Sequence, residues 1–126
     1  MTMRSTIACV RGLGSAKHGT KHWWMQRATA VALIPLSLWF AAALVSMAGA
    51  EWERAYIWIA SPAGAVPMIL FLIAGLWHGK LGLQVVIEDY VHAEGLKVAL
   101  LMLLGLTTVA LGVAGVFAVC KISFGE

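Results

Sequence analysis

The sequence predicts an all-α integral membrane protein with three transmembrane helices, and three observations carry that prediction. The 126-residue chain is 61% hydrophobic and 12% charged, too apolar for a soluble domain of this size and too short for a large transporter. Its apolar residues gather into three runs, each able to cross a hydrocarbon layer of about 30 Å, which takes about 20 helical residues. Residues 28–50 and 98–119 contain no charge, and residues 67–87 are interrupted only by His78, Lys80 and Gln84. The expected spans are about 25–49, 66–88 and 96–120, so the chain divides into an N-terminal arm, residues 1–24, and a three-helix anchor, residues 25–126.

The arm is polar, with Gly12, Gly14 and Gly19 too loosely spaced for a phosphate loop and no strand before them. It holds no continuous apolar run, so it does not read as a signal peptide and is expected to stay on the mature protein. Arg4, Arg11, Lys17, Lys21 and Arg27 stand at or before the first span without an acidic residue among them. The loop at Glu51, Trp52, Glu53 and Arg54 has almost no positive excess. By the positive-inside rule the N-terminus is cytoplasmic and three spans put the C-terminus outside. The net charge of +3 is thus a topology signal and implies no nucleic-acid partner. Cys9 and Cys120 fall on opposite sides of the membrane and cannot pair within one chain.

Trp23 and Trp24 precede span one, and Trp52 and Trp58 lie near its far side, where amphipathic rings favour the headgroup level. Pro35 removes one backbone donor inside that span and can kink it. Ser61-Pro62-Ala63-Gly64 reads as a breaker, with the second helix starting near Val66 or Pro67. Residues 88–97 form the polar cytoplasmic connection to span three.

Chemistry concentrates on span two. At about 100° per residue, Gly75, His78, Gly82 and Asp89 share one helix face. The glycines remove bulk where a flat macrocycle or another helix can approach. A ring nitrogen at membrane depth can ligate a metal; it can equally hydrogen-bond a hydroxyl or carbonyl on a neighbouring helix, and the residues alone leave both open. One histidine supplies one axial ligand, and no second histidine lies at matching depth, since His18, His22 and His92 fall at or outside the cytoplasmic boundary. Lys80, about a turn inside the span, must snorkel or meet an anion such as a haem propionate. Asp89 lies about 16 Å along the axis from His78, eleven residues at about 1.5 Å each. Asp89 and Tyr90 read either as a solvated helix end or as a quinone site, a phenol donating to a carbonyl beside a carboxylate. Arg27, at the same level, is a positive-inside anchor or a group that binds a propionate.

The stretch from Gly19 to Ala30 (GTKHWWMQRATA), together with His78-Gly79-Lys80-Leu81-Gly82 and the run from Gln84 to Val91 (QVVIEDYV), resembles the small membrane-anchor subunits of succinate dehydrogenase, the D subunits of respiratory complex II. The resemblance covers nearly the whole chain. It implies one half of a heterodimeric haem-binding membrane anchor, non-catalytic alone. In that family the histidine matching His78 is an axial ligand to haem b, and the companion cytochrome b membrane subunit gives the other. The pair matching Asp89 and Tyr90 borders the ubiquinone site, with the tyrosine on a quinone carbonyl beside the iron-sulfur subunit. The arginine matching Arg27 lies near the haem propionates and the quinone pocket. The resemblance assigns no role to His22 or Lys80. It further implies a flavoprotein partner, a lipid bilayer around the spans, and residence in a bacterial inner membrane or an equivalent energy-transducing membrane. The rivals are the anchor of a fumarate reductase, which the Arg-Ala-Thr-Ala and Asp-Tyr matches disfavour, and a haem-free membrane scaffold.

Reporter fusions at Met1 and Glu126 test the topology. A cytoplasmic reporter should be active only at Met1 and an exported one only at Glu126; both termini on one side would sink the three-span reading.

Overall fold

A helix buries its own backbone polar groups, so a chain with three long apolar runs satisfies itself in hydrocarbon only as three helices. The computed structural model describes residues 17–125. Cys9, Arg4, Arg11 and the rest of residues 1–16 lie outside the described residues. Four helices follow in order: α1 Lys17–Ser46, α2 Trp52–Ala60, α3 Pro62–Tyr90 and α4 Glu94–Phe124.

Three of them are long and apolar enough to span a membrane, over 28, 29 and 31 residues. At 1.5 Å per residue they measure roughly 42 to 46 Å and so exceed a hydrocarbon layer of about 30 Å. Their ends therefore reach headgroup depth, where polar side chains stay solvated. This is why α1 begins at Lys17, inside the stretch read from sequence as an arm. Hydropathy finds the part of a helix that meets hydrocarbon; the hydrogen-bonded ladder continues beyond it. Helix α1 also runs unbroken through Pro35.

The loop expected between the first two spans is mostly the short helix α2. The turn before it needs Gly49, whose φ of 76° is a conformation that side chains with a Cβ resist. Trp39 of α1 stacks on Trp58 of α2 with ring centroids 5.2 Å apart, and Phe40 stacks on Phe71 of α3 at 4.8 Å.

The breaker expected at Ser61–Gly64 is a helix start. Ser61 ends α2 and caps α3: its hydroxyl donates to the Trp58 carbonyl at 2.6 Å and accepts from the Gly64 N–H at 3.2 Å. Pro62 then occupies the first turn, where its missing N–H costs nothing. Helix α3 thus begins four or five residues before Val66 or Pro67. A Cβ on Gly64 would strike the Trp58 carbonyl, so the two helices can meet this closely only over a glycine.

Helix α4 returns antiparallel to α3. Leu72 and Leu76 of α3 fill the hollows at Gly115 and Gly112, where an added Cβ would come within 3.1 and 3.7 Å of them. Among the described residues only Ala65, Leu81 and Val119 form a buried apolar core. Large apolar side chains face outward all round, among them Val31, Ile34 and Leu38 on α1 and Leu103, Leu106 and Phe117 on α4. Helices apolar on every face belong in lipid or against other membrane helices.

Candidate functional site

The glycine-notched face of α3 lies against α1. A Cβ on Gly75 would come 3.9 Å from Leu33, and one on Gly82 would come 4.0 Å from the Gln26 side chain. Between these levels His78 Nδ1 sits 3.0 Å from the Thr29 hydroxyl. Of the two partners that sequence allowed for the notch, the described chain supplies a helix.

Towards the N-terminal end of α1 the two helices part into an open groove of ≈ 530 Å³. His22, Trp23, Gln26 and Arg27 line it from α1, and His78 and Gly82 line it from α3. That volume falls in the range of small-molecule sites. Two polar atoms at this groove, His22 Nε2 and Gln26 Oε1, are closed off from solvent without a hydrogen-bond partner. An unpaired buried polar atom costs about 1 to 3 kcal/mol. Two on one wall favour a polar group brought in from outside the chain, and the Gln26 amide can present either its oxygen or its nitrogen to it.

Arg27 is exposed at the groove, its guanidinium 5.6 Å from the Trp23 ring centroid, a stacking that holds a cation while leaving its donors free. His22 precedes Thr29 by seven residues, so it lies about 10 Å from the level of His78 along α1. The two histidines line one groove at different levels along α1. Lys80 does not line the groove. Its ammonium lies 4.7 Å from the Trp77 ring centroid, which gives the charge a partner within its own helix.

Asp89 and Tyr90 end α3 and are both exposed, Tyr90 at 79%. They do not line the groove with His78 and Arg27. Nearby, Glu88 accepts a 2.9 Å hydrogen bond from Gln84, and His92 Nδ1 donates to the Tyr90 carbonyl at 3.0 Å. The predicted site residues therefore fall in two places along α3: an inter-helix groove with His78 and Arg27, and an open helix end with Asp89 and Tyr90. Gln26 and Thr29 belong to the first place and received no role from sequence. Their only signal there was spacing, three residues apart and so on one face of α1, and it takes the register of α1 on α3 to give it meaning.

A family model described as succinate dehydrogenase/fumarate reductase transmembrane subunit matches residues 1–115. The chain belongs to that family. A succinate dehydrogenase hydrophobic membrane anchor subunit of Rickettsia bellii is 34% identical over 117 residues, covering 92% of this chain and 93% of the relative. That of Paracoccus denitrificans is 31% identical over 116 residues, 90% and 88% of the two chains, and that of Rickettsia conorii is 29% identical over 116 residues. As a member of this family the chain is a membrane-anchor subunit and is not catalytic by itself.

A haem b, which such an anchor implies, can be tested against the groove. Among the described residues no three His, Cys, Asp or Glu side chains converge on one point. A bare ion would find too few ligands here. A metal that brings its own equatorial nitrogens needs only one axial ligand from this chain, an opening beside it and a cation for its carboxylates. His78, the groove and Arg27 match these needs, and the unpaired atoms of His22 and Gln26 add polar contacts. The residues fit the group.

Proposed function

We propose that the chain anchors a succinate:ubiquinone oxidoreductase in an energy-transducing membrane, giving one axial ligand to haem b and part of the ubiquinone-reduction site. The observation that carries this reading is the groove itself, where a histidine at membrane depth faces the same opening as an arginine and two unpaired polar atoms. A companion cytochrome b subunit supplies the second axial ligand, and an iron-sulfur subunit and a flavoprotein bring the electrons. The names of the relatives, each a succinate dehydrogenase anchor, support that direction over fumarate reduction.

In this reading His78 would hold the haem iron through a ring nitrogen, and Arg27, which lines the same groove, would hold the propionates with its directional donors. Haem b, when bound, supplies a one-electron redox centre. At the helix end Tyr90 donates its phenol hydrogen to a quinone carbonyl, and Asp89 beside it orients the phenol or carries a proton inward from water. An open helix end suits that role only when the iron-sulfur and cytochrome subunits close over it, which the 79% exposure of Tyr90 leaves room for. The chain orients quinone and provides electrostatics; the redox steps belong to the bound groups and to the other subunits.

His78→Ala should remove or rearrange the low-spin signature of a haem with two histidine ligands, and an unaltered spectrum with full haem content would end the ligation reading. Tyr90→Phe keeps the ring and deletes the hydroxyl. A hydrogen bond to a neutral group is worth about 0.5 to 1.5 kcal/mol, so quinone-reductase efficiency should fall several-fold to about tenfold. Succinate oxidation by an artificial acceptor that draws electrons upstream of quinone should stay nearly constant. Equal loss in both assays would signal misassembly, and no loss in either would remove Tyr90 from the site.

A further inference from the structure

The Thr29 hydroxyl has three neighbours and one hydrogen. Its oxygen lies 2.7 Å from the Met25 carbonyl and 3.1 Å from the Gln26 carbonyl, both on its own helix, and 3.0 Å from His78 Nδ1 across the interface. The shortest of these is an ordinary O–H···O distance. Were the hydrogen turned to His78, two oxygens bearing only lone pairs would face each other at 2.7 Å, which is repulsive. The hydrogen therefore lies between Thr29 and the Met25 carbonyl, the back-bonding that threonine often adopts inside a helix. The hydroxyl is left with lone pairs alone to offer across the interface, so Nδ1 of His78 must carry the proton and donate it.

A neutral imidazole protonated on Nδ1 has its free lone pair on Nε2. Among the described residues no hydrogen bond engages Nε2, and His78 lines the groove. We propose that Thr29 is a positioning residue: its hydroxyl accepts the Nδ1 proton of His78 and so fixes the ring in the tautomer and rotation that present Nε2 to an iron. The inference rests on haem ligation by His78 and adds how this chain prepares the ligand. A ligating histidine commonly has its second nitrogen held this way, and the holding group also raises the ring's basicity. Here a neutral hydroxyl does it, and because that hydroxyl is anchored to the backbone of α1, the orientation of the ligand on α3 is tied to the packing of the two helices.

Two substitutions separate this role from packing. Thr29→Val keeps the branched shape and loses the hydroxyl; Thr29→Ser keeps the hydroxyl and loses a methyl group. Each is read in the purified whole complex by haem per chain after detergent washing, by the low-spin electron paramagnetic resonance signal, and by the haem midpoint potential. Loss of a partner behind a metal ligand typically weakens metal binding by about 10- to 100-fold. Thr29→Val should accordingly shed haem about tenfold more readily or worse, shift or broaden the low-spin signal as the ring loses its fixed rotation, and raise the midpoint potential because a less basic imidazole favours ferric iron less. Thr29→Ser should stay close to wild type in all three. The opposite order, with serine damaging and valine harmless, would assign Thr29 to packing and overturn the proposal, as would wild-type spectra and potential in both variants. His78→Ala measured alongside distinguishes the failures. If that variant alters the low-spin signal while Thr29→Val does not, ligation stands and the role of Thr29 falls; if His78→Ala changes nothing, both fall together.

Discussion

The apposition of α1 and α3 is the interaction on which the rest of the structure depends. Gly75 and Gly82 leave room for Leu33 and Gln26, and between them the Thr29–His78 contact joins the helices with a polar bond. Such a bond between membrane helices is worth on average about 0.6 kcal/mol, so packing at the glycines, and not the bond, holds the pair together. The bond sets register. With Thr29 level with His78, Gln26 falls level with Gly82, and Arg27 and His22 come to stand along the same groove. A shift of one helical turn that carried His78 towards the level of Leu33 would leave it facing apolar residues and separate it from Arg27.

Much else in the chain is deliberately incomplete by itself. Its three long helices expose large apolar side chains and, among the described residues, bury only three apolar side chains, those of Ala65, Leu81 and Val119. Lipid accounts for part of that surface, since hydrocarbon solvates leucine as well as another leucine does. It does not account for His22 Nε2 and Gln26 Oε1, which lipid tails cannot satisfy. Nor does it suit the exposed Arg27 at the groove. The apolar surface suits lipid or other membrane helices, and the unpaired polar atoms suit a polar group from outside the chain, as the proposed assembly would supply.

The sequence made the spans legible because hydrophobic runs of this length have few other uses, and it placed Gly75, His78 and Gly82 on one face because helical periodicity is rigid arithmetic. What it missed has physical causes. Helix ends at headgroup depth carry no hydropathy signal, so α1 extends back to Lys17 and α3 to Pro62. Helix α2 hid in a segment where Trp52, Glu53 and Arg54 looked like a loop, because nine residues show too few turns for a pattern. Ser61 and Pro62 signal a helix start and a helix stop equally well until the capping bond is seen. Thr29 was invisible as a site residue because its meaning depends on which helix it faces. Of the two readings of His78 that sequence left open, the bond to a hydroxyl on a neighbouring helix is made at Nδ1, and among the described residues Nε2 makes no hydrogen bond.

If this chain is one side of a haem b site completed by a partner, haem must travel with both membrane subunits. The decisive measurement is a reduced-minus-oxidised spectrum of the complex captured through this chain from its native membrane and washed, with haem and subunits quantified together. The expected result is a b-type spectrum with one haem for each copy of this chain, present only in fractions that also contain a cytochrome subunit. A complete complex that oxidises succinate with quinone yet holds no haem, or haem that stays with the companion subunit at full content and unchanged spectrum after this chain is stripped away, would contradict it.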